Sequence, residues 1–273
     1  MDNAAHDSGT DDKAPDALSG RIPLITGENL EPGRSFMELL YQVPDTYDYY
    51  AFSDQDDVWL EDKLISGIRF LQEQRKELYA GNLMCVDAEL NQIGSKNKSA
   101  PDISPYGIMS GNKATGCTMI FSKRFYRLLS DKAHRPDPIL IRQRFHDTWT
   151  AIVGAVFDMI TYDADCHILY RQHGNNVVGA GTYDSAWKRI RRRIRTGTQK
   201  LRDKSKQNGM SRMAREIIRL FPEEAARFPY LQTYAEAGKL ANQIKLTHSY
   251  AEYRKHGSKG FAEFLFFVWF RWI

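Results

Sequence analysis

Three carboxylates within four positions, Asp54, Asp56 and Asp57, follow directly on the aromatic run Tyr47-Asp48-Tyr49-Tyr50-Ala51-Phe52. The run reads as a strand, and Val58-Trp59-Leu60 after it as a turn entering a helix. Like charges crowded at one strand end repel, so the chain must fold in a way that brings something positive to them. The natural occupant is a hard divalent cation, held by carboxylates and usually shared with substrate phosphates. An acidic turn with no ligand is the plain alternative. A helix-loop-helix calcium loop fails on spacing. Counted from Asp54, Trp59 stands where Gly is needed and Ile65 where Glu is needed.

Around this turn, strand and helix patterns alternate. Ile22–Ile25 reads as a short strand and Glu31–Tyr41 as a helix, with Phe36, Leu39 and Leu40 at helical spacing. A helix over about 61–78 carries Leu64, Ile68 and Leu71 on one face, and Leu83–Val86 reads as a strand ending at Asp87. Residues 91–112, rich in Gly, Ser, Pro, Asn and Lys, have the composition of a long surface loop of the kind that closes over substrates. Thr115-Gly116-Cys117 leads into a strand over 118–121, and a helix follows near 123–131. His146-Asp147 opens an apolar helix running to about Val156, and Met159–Tyr162 and Ile168–Tyr170 read as two further strands. This alternation predicts an α/β architecture with a mostly parallel sheet flanked by helices. The expected organisation is a flexible acidic start over 1–20, an α/β domain over 21–184 and a helical extension over 185–273.

Composition limits the rest. The 273 residues suffice for one core with an appendage, and 42% hydrophobic and 26% charged residues are ordinary for a globular protein. Cys85, Cys117 and Cys166 are far apart, with no metal-site spacing and no disulfide framework, which fits a reduced cytoplasmic compartment. The first residues lack the basic start and apolar core of a signal peptide, and no stretch reaches the length of a membrane span. The net charge of +4 is unevenly spread: residues 187–206 hold ten Lys or Arg against one Asp. With the aromatic run at 261–272, this segment suits an anionic membrane surface at the cytoplasmic face. A solvated helix face is the alternative, and no nucleic-acid-binding motif accompanies the charge, so no nucleic-acid partner is expected.

Four elements in this order, Ser53-Asp54-Gln55-Asp56-Asp57-Val58-Trp59, Gly116-Cys117-Thr118-Met119, His146-Asp147 before an apolar helix, and Tyr170-Arg171-Gln172-His173-Gly174-Asn175-Asn176, carry a resemblance. Over roughly residues 7–183 the chain resembles the family 2 inverting glycosyltransferases of the GT-A fold, in their bacterial rhamnosyltransferase-like branch. The resemblance implies transfer of rhamnose or a similar hexose from a dTDP- or UDP-linked donor to a cell-surface polysaccharide or lipid-linked glycan, with Mn2+ or Mg2+. It implies metal binding by Asp54, Asp56 and His173, with Asp57 shaping the acidic motif and Arg171 assisting the leaving diphosphate. Asp147 matches the general base, which would stand at a helix start where the dipole favours its ionised form. Thr115, Gly116, Cys117, His146 and Trp59 match the surroundings of donor sugar and acceptor. Cys117 is not expected to be a nucleophile, because inversion needs no covalent enzyme intermediate.

The first strand and helix of that family are not matched here. His6-Asp7-Ser8-Gly9-Thr10-Asp11-Asp12 resembles a remnant of its second strand end. A catalytically silent, membrane-associated homologue is therefore an alternative reading. Asp54-Gln55-Asp56-Asp57-Val58 also fits the opening of aspartate-nucleophile phosphatases, in which the first Asp attacks phosphorus. That rival asks for a Gly-Asp with a further Asp downstream, and the strand ending at Asp87 supplies only Ala88-Glu89.

Overall fold

The computed structural model describes residues 25–172, 209–237, 239–248, 265, 268 and 269. The chain divides into two units, Met1–Leu30 and Glu31–Ile273. Of the first, residues 25–30 are described and carry no regular secondary structure, so the strand expected at Ile22–Ile25 lies almost wholly outside the described residues.

The second unit begins with α1 (Pro32–Gln42), started by a proline whose missing N–H costs nothing in a first helical turn. Then come β1 (Tyr49–Ala51), the acidic turn, β2 (Val58–Trp59) and α2 (Lys63–Gln74). β3 (Leu78–Val86), β4 (Gln92–Ser95), α3 (Pro105–Gly111), a 3-10 turn at Gly116–Thr118 and β5 (Ile120–Ser122) follow. α4 (Lys123–Ser130) leads to α5 (Pro138–Val156) and the long β6 (Ile160–Arg171). α6 (Gly209–Leu220), α7 (Pro222–Ala225), α8 (Tyr230–Ala235) and α9 (Leu240–His248) complete the described elements.

The architecture is α/β, as expected, but the sheet is mixed. Its order is β1-β5-β3-β6-β2, with β4 beside the far part of β3. Among the described strands only β3 and β6 pair in parallel; β1–β5, β5–β3, β3–β4 and β2–β6 are antiparallel. β4 follows β3 by a tight connection, which favours antiparallel pairing, whereas β3 and β6 are joined by a long crossover containing α5.

Several local expectations are corrected. Val58-Trp59 does not enter a helix; it pairs with Leu169 and Ile168 of β6, and the helix waits until Lys63. α2 buries Lys63, Gly67 and Leu71, while Leu64 is exposed. The long loop over 91–112 contains β4 and α3, and Tyr106 to Ser110 are buried. The two strands expected near 159–170 are one. A register shift between Gly81, paired with Asp163, and Asn82, paired with Cys166, leaves Ala164-Asp165 as a bulge, with Asp165 N–H bonded to Asp163 Oδ1 at 2.9 Å.

The correction that matters most concerns α5. It starts at Pro138, with Asp137 accepting the Ile139 N–H at 2.8 Å, so His146 and Asp147 lie in mid-helix and not at its start. Asp137-Pro138 is a cap followed by a first-turn proline, a start signal present in the sequence. α5 lies close on β3 at Gly154, where an added Cβ would meet Leu78 Cδ2 at 2.6 Å. One apolar cluster joins Leu78, Phe121 and Phe125 to Trp149, Ile152 and Val156 of α5, and to Met213, Ile217 and Phe221.

Candidate active site

Sheet order forces the acidic segment into a particular place. β1 sits beside β5 at one edge and β2 beside β6 at the other, so residues 52–57 must cross the end of the sheet. Phe52 N–H donates to Met119 O at 3.3 Å on the β5 side. On the other side Arg171 N–H donates to Asp57 Oδ1 at 3.3 Å. Val86 and Arg171 are register partners, so the turn crosses the carboxyl ends of the parallel pair, the usual ligand position in α/β sheets. The Arg171 side chain donates to Asp56 O at 3.3 Å and to Ala88 O at 2.9 Å, which ties the turn to the end of β3.

Asp54, Asp57 and Cys117 each offer a ligand atom, all within 4.8 Å of one another. The Cys117 thiol lies against the Asp57 carboxylate. Burial pushes Asp57 up to about 6, opposed by that thiol and by Arg171 N–H, and raised further by the charges of Asp54 and Asp56. Asp54 is raised for the same first reason, burial, and then by Asp56, with Lys63 pulling it down. Cys117 is held far above the ordinary thiol range by burial and by both carboxylates, so it stays a thiol.

Lys63 is the local cation. Its side chain is 2% exposed, its Nζ donates to Cys117 O at 2.9 Å, and it lies 3.3 Å from the centre of the Trp59 ring. Burial lowers it to about 7, against the pull of the Asp57 and Asp54 carboxylates. Tyr170 faces the same group; burial and then the negative charges of Asp57 and Asp54 keep its phenol protonated.

The Gly116–Thr118 turn reaches the other half of the site. An added Cβ at Gly116 would meet His146 Nε2 at 2.5 Å and Asp147 Cβ at 3.3 Å, so α5 seats directly on this glycine. Asp147 Oδ1 accepts from Thr148 N–H at 2.6 Å and from Thr148 Oγ1 at 3.2 Å. Burial still pushes Asp147 up to about 6, with Lys96 pulling down and Asp54 pushing up. His146 is buried between Phe36, stacked at 4.1 Å, and the edge-on Phe52 at 4.8 Å. Neither of its ring nitrogens has a hydrogen-bond partner, and burial lowers it to about 3, so it is neutral.

The structure thus brings together Asp54, Asp57, Cys117, Gly116, His146, Asp147 and Trp59. It differs from the expectation in detail. Asp57 stands with Asp54 as the paired carboxylate, while Asp56 contributes its carbonyl to Arg171. The Arg171 guanidinium is engaged with backbone carbonyls, which makes it a clamp on the turn. His173 lies outside the described residues, as do 187–206 and most of 261–272. Lys63, Lys96 and Tyr170 were not singled out by their sequence context. Charge balance around three carboxylates asks for a positive group but, read alone, suggests a divalent cation and does not single out Lys63.

The residues present fit a hard divalent cation. Two carboxylates converge, both destabilised as anions by burial, and Asp57 Oδ2 is buried with no hydrogen-bond partner. The protonated, soft Cys117 is not a ligand for such an ion.

No protein-family model matches the chain. Over 167 residues it is 28% identical to the dTDP-rhamnosyl transferase RfbG of Shigella flexneri, a match that covers 58% of this chain and 55% of that protein. The chain thus spans about half the length of that curated relative. Among solved structures, S. aureus TarS 1–349 in complex with UDP-GlcNAc aligns with 88% of this chain and 68% of its own, at a TM-score of 0.43 and 13% identity. The sequence match agrees with the motifs, and over that span the chain is similar to a rhamnosyltransferase-type glycosyltransferase.

Proposed function

We propose that the chain is an inverting glycosyltransferase that moves a deoxyhexose such as rhamnose from a dTDP-linked donor to a glycan acceptor. The observation that carries the reading is the Gly116–Thr118 turn, which touches both halves of the site. Its Cys117 thiol lies on Asp57 and its Gly116 on Asp147. One short element thus packs against both the residue read as the general base and the carboxylates read as binding the diphosphate. The donor's nucleotide and sugar are those of the Shigella flexneri relative, a dTDP-rhamnosyl transferase.

In this mechanism Asp54 and Asp57 would hold Mn2+ or Mg2+, which when bound supplies positive charge to the leaving diphosphate. Asp147 takes the proton of the acceptor hydroxyl as that oxygen attacks the anomeric carbon. The bond from this carbon to the diphosphate oxygen breaks, and its electron pair leaves with the nucleoside diphosphate. Burial of Asp147 makes it a stronger base than an ordinary carboxylate, as this step requires. Cys117 stays protonated, in keeping with a displacement that forms no covalent enzyme intermediate. A cell-surface polysaccharide or lipid-linked glycan is the acceptor class that the motif resemblance supports. Among the described residues no helix is long and apolar enough to cross a membrane.

The test uses dTDP-rhamnose, Mn2+ and a lipid-linked oligosaccharide extract, with dTDP release as the readout. Asp147→Asn is expected to lower turnover about 10²–10⁴-fold while dTDP still binds. Asp57→Asn should weaken Mn2+-dependent dTDP binding, and EDTA should abolish transfer. Full turnover in both variants would sink the reading.

A further inference from the structure

Lys96 lies just after β4 and is unusually well anchored. Its own N–H donates to Leu83 O at 3.0 Å. The next residue is fixed on three sides: Asn97 N–H bonds to Asn82 Oδ1 at 3.0 Å, Asn82 Nδ2 to Asn97 O at 2.8 Å, and Asn97 Nδ2 to the Tyr162 hydroxyl at 2.8 Å. From this frame the Lys96 ammonium reaches inward to donate to Thr115 Oγ1. Thr115 begins the turn that carries Gly116 and Cys117, and its carbonyl accepts from Thr118 Oγ1 at 2.7 Å. Thr118 Oγ1 in turn accepts from Gly81 N–H at 3.1 Å, so the turn is held from both ends. Gly116, the residue after Thr115, is the one on which Asp147 rests.

We propose that Lys96 is a positioning residue for Asp147, holding the 115–118 turn against the base and supplying the positive charge that faces its carboxylate. The inference rests on Asp147 being the general base. The groups that bear on the pair are few. Asp147 faces the charges of Lys96 and Asp54 and the two Thr148 donors, and Lys96 faces Asp147, Cys117, Cys85 and Lys113. Lys96 is the cation that draws Asp147 towards ionisation, opposing burial and Asp54. A surface lysine with a merely structural tether would show no such dependence.

The decisive measurement is a carbon-13 NMR pH titration of the full chain labelled at aspartate carboxylates, with Asp147→Asn assigning the resonance. In Lys96→Met the Asp147 midpoint is expected to move to higher pH, and Lys96→Arg should return it towards the wild-type value. The acidic limb of kcat/KM for dTDP-rhamnose should shift in the same direction. The loss at pH 6 would then be about tenfold greater than at pH 8.5. Should Lys96→Met fail to fold, Lys96→Gln serves, because it keeps a donor for Thr115 and drops only the charge. An unmoved Asp147 midpoint, or a loss of equal size at every pH, overturns the proposal. Failure of the base reading looks different: Asp147→Asn would then keep full turnover, whatever the NMR midpoints do.

Discussion

At the scale of single residues, the site is governed by buried charge. Asp147 and Asp57 are both raised to about 6 and His146 is lowered to about 3, each chiefly by burial. For a base that must be ionised, kcat/KM should rise with pH through about 6 and then level off; a profile flat between pH 5 and 8 would contradict the role of Asp147. Stability carries its own signs. A carboxyl raised on folding is favoured in its neutral form, so ionised Asp147 weakens the fold above about pH 6 and ceases to do so as pH falls towards 4. Asp147→Asn should therefore be more thermostable than wild type at pH 8, by on the order of 1 kcal/mol, and equal to it near pH 4. His146 runs the other way, because its unfolded form takes up a proton below about 6.5 and stability is lost as pH falls from there towards about 3. Thermal melts of wild type and the two single variants Asp147→Asn and His146→Phe across pH 4–8 separate the two contributions. Part of this site was legible residue by residue, since carboxylate crowding at Asp54–Asp57 announces its chemistry locally, whereas His146 and Asp147 were legible only as one of four motifs in a set order. Lys63 and Lys96 were not, because a lysine's meaning depends on what lies opposite its ammonium.

At the scale of elements, one turn and one cap decide the geometry. The 3-10 turn at Gly116–Thr118 needs a residue without a side chain where it meets α5, because any Cβ there would lie 2.5 Å from His146 Nε2. Gly116→Ala should cost roughly 1–3 kcal/mol in stability through overpacking and push α5 away from the turn. Transfer should fall more than the loss of stability alone explains, which activity measured well below the melting temperature can check. Reading α5 from His146 misplaced Asp147 at a helix start. The Asp137-Pro138 signal was present in the sequence, but the polar Arg142-Gln143-Arg144 breaks the apolar pattern of the helix it begins and hid its continuity. With Asp147 in mid-helix, the dipole of α5 does not stabilise its carboxylate, and the raised value near 6 replaces the ionised acid that the helix-start reading implied. The strand identity of Val58-Trp59 was equally hidden. Two residues pairing with the far end of β6 give no periodicity of their own.

At the scale of the whole molecule, α5 is the shared support. Its Trp149 is fully buried and stacks 6.5 Å from Phe221, which also meets Phe157 edge-on at 5.1 Å. The helices after residue 208 thus pack on the same helix that carries Asp147. Phe221→Ala should cost roughly 3–5 kcal/mol and lower a single melting transition for sheet and helices alike. Two separate transitions, one unmoved, would show that these helices are an independent appendage. By itself the sequence determined the α/β class and the acidic turn, because each rests on chemistry or periodicity within a few residues; it offered Asp147 as a base only through the resemblance of four motifs taken together. Only the tertiary structure decided that the sheet is mixed and that the acidic turn crosses its end. It also decided that Asp57 pairs with Asp54, and that Lys63 and Lys96 face the site. Those facts depend on strand order and on side chains meeting across long stretches of chain, which no local pattern records.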